Sequence, residues 1–195
     1  MAMHNELWFP SVIWTSVIHN VDNAALKKFA YNKIKEDPQG RTISNIDGYQ
    51  SVDIKPNECT EIDRLVQTID REILEICSQV GLRPPKLYNI WCNVNYPRAS
   101  NEMHHHLGAL FSGVYYVDAD PEIDQGNILF ERNDNAEYHL PASMIEKTTY
   151  YTSQRAHYAS KTGGLFVFPG WMKHKVSTNN SNKDRISISF NYGEA

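Results

Sequence analysis

The sequence has little of three features that would place it in a specialised class of protein. Its 195 residues include only three cysteines, Cys59, Cys77 and Cys92, which argues against a disulfide scaffold and fits a reducing cytoplasm. Basic residues number 19 and acidic residues 23, so the net charge of −4 argues against non-specific binding to a nucleic-acid duplex or a membrane. No apolar run approaches the roughly 18 residues that cross a bilayer, and residues 1–10 lack the pattern of a secretory signal. We therefore expect a cytoplasmic protein.

The first part of the chain carries the spacing of two amphipathic helices. Apolar residues recur every three or four positions over residues 22–37 and again over residues 60–80. Thr60 and Asp63 predict a side-chain cap at the start of the second helix, and Gly81 predicts its end. Residues 1–86 are therefore expected to be a helical support region.

The rest of the chain changes to the two-residue period of β-strands. Alternating segments occupy residues 87–96, 112–118, 126–131, 164–168 and 185–191, with glycine, proline and asparagine between them. Many short strands with regular punctuation favour a sandwich or jelly roll, formed by residues 87–195 of a single domain, 1–195. A strand-poor segment, residues 133–158, interrupts the series, and a loop of this length is expected to be functional, for example as a lid.

Three consecutive histidines are the clearest chemical feature. A strand would point His104 and His106 to one side and His105 to the other. His174 follows an apolar strand and a Pro-Gly turn, and a double-sheet core can bring that segment beside the first. Three imidazoles on one side of a metal ion leave positions open for substrate and oxygen. The spacing alone also fits an exposed polar turn.

A second feature lies on the last predicted strand. Its faces alternate between apolar residues (Ile186, Ile188, Phe190) and polar residues (Arg185, Ser187, Ser189, Asn191). An arginine that points into a barrel is costly unless it meets an anion, and its planar fork matches a carboxylate. A solvated outer face would also explain the pattern, and the strand by itself leaves both possibilities open.

Together these segments resemble the Fe(II)/2-oxoglutarate-dependent oxygenase superfamily. The resemblance is carried by His-x-His followed by SGVYYV, GNILFER, GGLFVFPGWMKH and RISISFN, with support from SNIDGYQS and NIWCNVNYP. It is strongest from Tyr88 to Asn191, and within the superfamily it points to a small branch with prolyl-hydroxylase-like strand order. The resemblance implies a mainly β fold, a double-stranded β-helix (jelly-roll, cupin-like) core buttressed by the two N-terminal helices.

The resemblance also implies roles for individual residues. His104 and His174 match two iron ligands, and Arg185 with Ser187 matches the pair that binds the distal carboxylate of 2-oxoglutarate. The usual motif is His-x-Asp or His-x-Glu, whereas the third position here is His106. Either this branch uses three imidazoles, or a carboxylate comes from elsewhere, with Glu131 as the candidate.

Three further residues are expected to line the cosubstrate pocket. Asn93 and Asn95 share one face of the strand before the histidines, and the Tyr116 phenol lies on the next strand. Ordinary sheet packing would also explain these residues, and we favour it for Tyr88.

The predicted activity is that of a dioxygenase that uses Fe(II), O₂ and 2-oxoglutarate to hydroxylate or otherwise oxidise an unknown substrate, forming succinate and CO₂. Two alternatives are a three-histidine cupin-like metalloenzyme that does not use 2-oxoglutarate and a non-catalytic metal-binding barrel. The expected partner is a small-molecule or peptide substrate, with neither a nucleic-acid duplex nor a membrane. A homodimer through exposed sheet edges is possible in such barrels.

Overall fold

The fold is built from two helices and eleven strands within the part of the chain that the structure, a computed structural model, describes: residues 3–134 and 140–194. The helices are α1 (Asn23–Glu36) and α2 (Thr60–Val80). The strands are β1 (Trp14–Val17), β2 (Asn45–Ile46), β3 (Tyr49–Gln50), β4 (Lys86–Asn95), β5 (Ser100–His104), β6 (Phe111–Asp118), β7 (Ile128–Glu131), β8 (Arg155–Tyr158), β9 (Gly164–Pro169), β10 (His174–Val176) and β11 (Arg185–Gly193).

The strands form two antiparallel sheets. The larger has the order β1-β9-β6-β11-β4-β3, and the smaller has the order β2-β5-β10-β7-β8. Because the chain crosses from one sheet to the other at every step from β4 to β11 except between β7 and β8, it winds through both sheets, as a jelly roll does. The predicted mainly β jelly-roll fold with two flanking helices is confirmed.

The helices begin and end where local sequence dictates, with one difference. The Asp22 side chain caps α1 by accepting a hydrogen bond from the amide of Ala25 at 3.0 Å. Gly81 ends α2 in the left-handed conformation with φ of 73°, as predicted. The predicted side-chain cap of α2 is wrong, because Cys59 precedes the helix and Asp63 accepts instead from the amide of Asn57 at 3.2 Å.

Both helices support the outer face of the larger sheet. The buried side of α2, with Leu65, Ile69 and Ile73, shares one apolar cluster with the apolar side of β11. A second apolar cluster, which includes Val114, Phe130 and Phe168, contains residues of both sheets. The alternation of β11 therefore separates a helix-packed core on one face from a polar surface between the sheets on the other.

Six strands lie outside the segments predicted from periodicity. They are β1 and β3, at the edges of the larger sheet, and β2, β5, β8 and β10 of the smaller sheet, in which β2 and β8 are the edges. The strand-poor segment 133–158 contains a short 3₁₀ helix, Ala142–Met144, and ends in the four-residue strand β8. Residues 135–139 of that segment lie outside the described part of the chain. The first 86 residues contribute β1, β2 and β3 in addition to the helices.

Gly113 on β6 allows a close approach between the sheet and an aromatic ring. A Cβ at this position would lie 2.5 Å from Cε2 of Phe190 and 2.6 Å from the carbonyl oxygen of Phe166. Both distances are shorter than van der Waals contact, and the carbonyl belongs to a paired strand that cannot move independently.

We expect Gly113→Ala to lower the free energy of unfolding by about 1–3 kcal/mol because of this overlap. Urea denaturation followed by circular dichroism measures the change. Ser78→Ala, on the exposed side of α2, is the control and is expected to stay within about 0.5 kcal/mol of the wild type. Equal stability of Gly113→Ala and the wild type would contradict the packing described for β6.

Candidate active site

A cavity of about 520 Å³, including its open mouth, lies between the two sheets. Since β3, β4, β11 and β6 pair in register, their side chains form rows on the inner face of the larger sheet. The rows contain Asn95 and Arg185; Gln50, Asn93, Ser187 and Tyr116; Trp91, Ser189 and Val114; and Asn89, Asn191 and Ser112. The first three rows line the cavity, opposite His104 and His174 of the smaller sheet.

Strand pairing brings together the three histidines that were predicted to converge. His104 ends β5, His174 begins β10, and the two residues are direct partners across these strands. His106 lies beyond the end of β5 rather than on the strand, and its amide donates to the carbonyl of Gly170 at 2.8 Å. Each of the three offers a ring nitrogen within 4.8 Å of the others, whereas His105 is exposed. Among the described residues, no other group of three or more histidine, cysteine or acidic side chains is so placed.

Main-chain carbonyls fix the ring orientation of two of these histidines. Nδ1 of His104 lies 2.7 Å from the carbonyl oxygen of Glu102, and Nδ1 of His174 lies 2.9 Å from that of Met172. A carbonyl oxygen only accepts hydrogen bonds, so each Nδ1 carries the proton and donates. Nε2 of each ring therefore keeps its lone pair available, which is the arrangement that metal-binding imidazoles use.

Burial keeps the cluster in the neutral state that binds metals. Loss of solvent, and then the proximity of His104, lowers the pKa of His174 to about 3 and that of His106 to about 4. Loss of solvent also lowers the pKa of His104. Three neutral imidazoles with converging nitrogen atoms, that of His174 buried and those of His104 and His106 partly buried, fit a divalent transition metal such as Fe(II).

The alternative carboxylate, Glu131, lies away from the histidines. It ends β7 and forms an ion pair with Arg155 of β8 at 3.1 Å. It does not line the cavity, and among the residues that the structure describes the lining includes no aspartate or glutamate. The sequence left His106 and Glu131 open as the third ligand, and of these two residues His106 lies beside His104 and His174.

Arg185 lies on the cavity wall with 2% of its surface exposed and without an acidic partner among the described residues. Its Nη2 donates to Oδ1 of Asn95 at 2.8 Å and its Nη1 to the carbonyl of Gly126 at 3.3 Å. Nε forms no hydrogen bond within the described part of the chain. Burial lowers the pKa of Arg185, so the charge is costly in this environment. A guanidinium held this way fits an anionic ligand that enters the cavity, such as a carboxylate.

A chain of amide hydrogen bonds holds the partner of Arg185 in place. Nδ2 of Asn95 donates to Oδ1 of Asn101 at 3.0 Å, and Nδ2 of Asn101 donates to Oγ of Ser44 at 3.2 Å. Because Asn101 belongs to β5, this series of hydrogen bonds links Arg185 on one sheet to the strand that carries His104 on the other.

The remaining predicted site residues divide into two groups. Ser187 and Tyr116 line the cavity in adjacent positions, and within the described residues neither hydroxyl has a hydrogen-bond partner. The guanidinium of Arg185 lies 5.6 Å from the centre of the Tyr116 ring. Asn93 instead bonds to the wall itself, accepting from Nε1 of Trp91 and donating to Oγ of Ser189. Tyr88 is half exposed and does not line the cavity.

The sequence did not single out several residues of the cavity wall. Ser44 and Gln50 belong to the β2–β3 region, where strands of two residues give no measurable period. Gln50 is 8% exposed and its side chain has no hydrogen-bond partner in the described part of the chain. Asn101 lies on β5, which was not predicted. Only the position of Gln50 beside Asn93 across the sheet, a non-local pairing, places it in the cavity.

Comparison with known proteins places these features in a family. Residues 89–191, just over half of the chain, match the family described as "Putative 2OG-Fe(II) oxygenase". This stretch contains all three clustered histidines and Arg185. No curated protein matches the sequence.

Solved structures show the same fold at low sequence identity. A prolyl-4-hydroxylase from Pseudomonas putida is 14% identical, with a TM-score of 0.61 and coverage of 95% of this chain and 94% of that one. A prolyl hydroxylase from Trichoplax adhaerens, in complex with a hypoxia inducible factor peptide fragment, is 12% identical, with a TM-score of 0.67 and coverage of 93% and 83%. HygX from Streptomyces hygroscopicus, with nickel and 2-oxoglutarate bound, is 10% identical, with a TM-score of 0.60 and coverage of 95% and 84%.

We expect His104→Ala and His174→Ala to weaken binding of Co(II), used as a spectroscopic substitute for Fe(II), by more than about 100-fold. The reason is that each change removes a nitrogen that converges on the metal position, a larger loss than removal of a supporting residue. Visible absorption during anaerobic titration measures the affinity.

His157→Ala is the matched control, because this histidine is exposed on β8 and is expected to leave Co(II) affinity unchanged. Glu131→Gln is likewise expected to bind Co(II) as the wild type does. Loss of binding in Glu131→Gln together with retention in His174→Ala would show that the metal lies elsewhere.

Proposed function

Because the chain belongs to the 2-oxoglutarate–Fe(II) oxygenase family, and is thus an oxidoreductase, we propose that it is a dioxygenase that hydroxylates or otherwise oxidises an unidentified substrate. In the same reaction 2-oxoglutarate would be converted to succinate and CO₂. The observation that carries this proposal is the shared cavity. One wall presents three converging neutral imidazoles, and the facing wall presents a buried guanidinium that has no acidic partner within residues 3–134 and 140–194.

Each residue of the cluster would have a defined task. His104, His106 and His174 would hold Fe(II), which when bound supplies oxidation by O₂ coupled to breakdown of the keto acid. The carbonyls of Glu102 and Met172 keep the protons of His104 and His174 on Nδ1, so Nε2 is the donor atom. The partial burial of the three rings limits contact of the ligand nitrogens with water, which would strengthen electrostatic interactions there.

The opposite end of the cavity would orient the cosubstrate. Arg185 would bind the carboxylate of 2-oxoglutarate that lies farther from the metal, using donors that include Nε, which has no hydrogen-bond partner in the described part of the chain. The hydroxyls of Ser187 and Tyr116 are available for the same carboxylate. Two anchors at opposite ends of a small dicarboxylate restrict it to one orientation, which lowers the entropic cost of reaching the reactive geometry.

The third imidazole would change the charge of the metal centre. A site with one carboxylate ligand carries one negative charge more than a site with three neutral histidines. Without that charge, the centre is more positive, which shifts its redox potential and its preference among metals. This difference from the usual His-x-Asp or His-x-Glu motif motivates testing several divalent metals.

Further proposals concern the substrate, the location of the protein in the cell and the association of two copies. We infer a small-molecule or peptide substrate; in support of a peptide, one structure with this fold is a prolyl hydroxylase in complex with a peptide fragment.

A cytoplasmic location is supported by the three cysteines, all of which are free thiols. Pairing of two copies through a sheet edge is supported by the exposed ends of both sheets, such as β8. No helix among residues 3–134 and 140–194 is both long and apolar enough to span a membrane.

The test is anaerobic titration of the Fe(II)-loaded protein with 2-oxoglutarate, followed by metal-to-ligand charge-transfer absorbance. We expect Arg185→Gln to raise the Kd of 2-oxoglutarate by about 30-fold or more and to leave Fe(II) affinity unchanged. The change removes one member of a buried charge pair, which costs about 2–5 kcal/mol. With O₂ and ascorbate, the wild type is expected to release succinate slowly even without substrate.

Arg64→Gln is the control, because Arg64 lies on the exposed side of α2 and pairs with Glu61. If the wild type binds Fe(II) but shows neither the charge-transfer band nor succinate release, the protein is a three-histidine metalloprotein that does not use 2-oxoglutarate. Equal Kd values for Arg185→Gln and the wild type would contradict the assigned role of Arg185.

A further inference from the structure

The side-chain amides that line the cavity include one that the wall itself does not use. Asn93, Asn95 and Asn101 each form hydrogen bonds at both ends of the amide, the oxygen accepting and the nitrogen donating. Gln50 is equally well buried, with 8% of its surface exposed, yet neither end of its amide has a partner among the residues that the structure describes. A buried amide without partners costs stability, and a ligand that pairs with it would remove that cost.

The pairing of the short strand β3 places Gln50 on the inner face of the larger sheet. Gln50 is the direct partner of Asn93 on β4, so both side chains lie on the same face of the sheet. The main-chain carbonyl of Gln50 also accepts from the amide of Arg41 at 2.8 Å. The backbone at this position is therefore held by the fold, whereas the polar end of the side chain is left for a molecule in the cavity.

Gln50 lies apart from the residues that would bind the cosubstrate. Arg185 and Ser187 belong to β11 and Tyr116 to β6, and β4 separates β11 from β3 at the edge of the sheet. Neighbouring strands are about 4.8 Å apart, so the main chains of Gln50 and Ser187 are about 10 Å apart within one row. The side chain between them, that of Asn93, is already bonded to the wall. Gln50 thus faces the space beside the cosubstrate, where a second molecule would lie.

The groups on this side of the cavity are polar but uncharged. Oγ of Ser44 accepts from Asn101, and its own proton has no acceptor within the described part of the chain. With the histidines neutral, Arg185 is the one charged side chain in the described lining. A glutamine amide offers donors at Nε2 and an acceptor at Oε1, so a second amide satisfies both ends without adding charge. A carboxylate would leave Oε1 facing another oxygen and is better matched by Arg185.

We propose that Gln50 binds the substrate to be oxidised, and that it does so through an amide group of that substrate. Nε2 of Gln50 donates to the amide carbonyl, and Oε1 accepts from the amide N–H. The proposal rests on the proposed function, because 2-oxoglutarate occupies the Arg185 end of the same cavity in it. It narrows the substrate to a compound with a neutral amide, such as a peptide bond or a carboxamide, and predicts rejection of analogues that lack the N–H.

The experiment measures how small amides bind to the full-length protein loaded with Zn(II) and saturated with 2-oxoglutarate. Zn(II) suits imidazole ligands and has no redox chemistry, so the bound compounds are not oxidised. The probes are the N-acetyl N-methylamides of the common amino acids, and saturation-transfer NMR gives their Kd values. At least one is expected to bind. Gln50→Met, which keeps the length of the side chain but removes both polar ends, is expected to raise its Kd by about 10-fold or more.

A second set of probes tests the hydrogen bonds themselves. Each of the two N–H groups of the best probe is replaced in turn by an ester oxygen, which keeps the carbonyl but removes the donor. The wild type is expected to bind one of these esters about 10-fold more weakly than the amide, whereas Gln50→Met is expected to bind amide and esters alike. Gln79→Met, at an exposed position of α2, is the matched control and is expected to give wild-type values.

Failure of this proposal can be distinguished from failure of the proposed function. If the protein binds Zn(II) and 2-oxoglutarate but none of the capped amides, or if Gln50→Met binds them as the wild type does, the role of Gln50 is wrong and the proposed function is unaffected. An equal rise in the Kd of 2-oxoglutarate in Gln50→Met would assign Gln50 to the cosubstrate and overturn the proposal. If the wild type binds no 2-oxoglutarate, both conclusions fail together.

Discussion

The pairing of β5 with β10 is the interaction on which the candidate site depends. It sets His104 directly opposite His174, although the two residues are far apart in the chain, and the backbone hydrogen bond from His106 to Gly170 adds the third ring. A slip of one residue in this register would turn one of the paired histidines to the outer face of the sheet. The placement of the three proposed metal ligands therefore depends on the sheet around them, in which β10 is held on its other side by β7.

The inner face of the larger sheet holds polar side chains in a buried position. On β11 the apolar residues pack toward the helices, and the polar residues face the cavity. Arg185 is retained there by hydrogen bonds to one amide and one carbonyl, and Asn95 is held in turn through Asn101 to Ser44; Nε has no partner among the described residues. Such a group costs stability in the free protein, and an anionic ligand would offset that cost. The helices supply apolar packing on the opposite face of the sheet, and this packing offsets the cost of burying Arg185.

The periodicity of apolar residues predicted both helices and five strands, and it missed strands that lack such a periodicity. Both helices and the five longer or more apolar strands carry a repeat that burial on one face requires. The strands β1 and β8 are short edge strands, and β5 carries mainly polar residues, so their pairing is decided by partners distant in sequence. For the site, His-x-His, His174 and the alternation that begins at Arg185 were visible in the sequence. Ser44 and Gln50 lie in SNIDGYQS, which supported the resemblance, but neither they nor Asn101 were assigned to the site, because only sheet pairing brings them to the cavity. Glu131 could be set aside only once its pairing with Arg155 was known.

The most direct test is an anaerobic crystal structure of the protein with Fe(II) and an unreactive keto-acid analogue of 2-oxoglutarate, with anomalous data collected at the iron edge. The predicted result is one anomalous peak bonded to Nε2 of His104 and His174 and to a ring nitrogen of His106. The distal carboxylate of the analogue would lie on Arg185. A peak bonded to Glu131 or located outside the cavity, or an analogue that avoids Arg185, would contradict the central claim that these four residues form one active site.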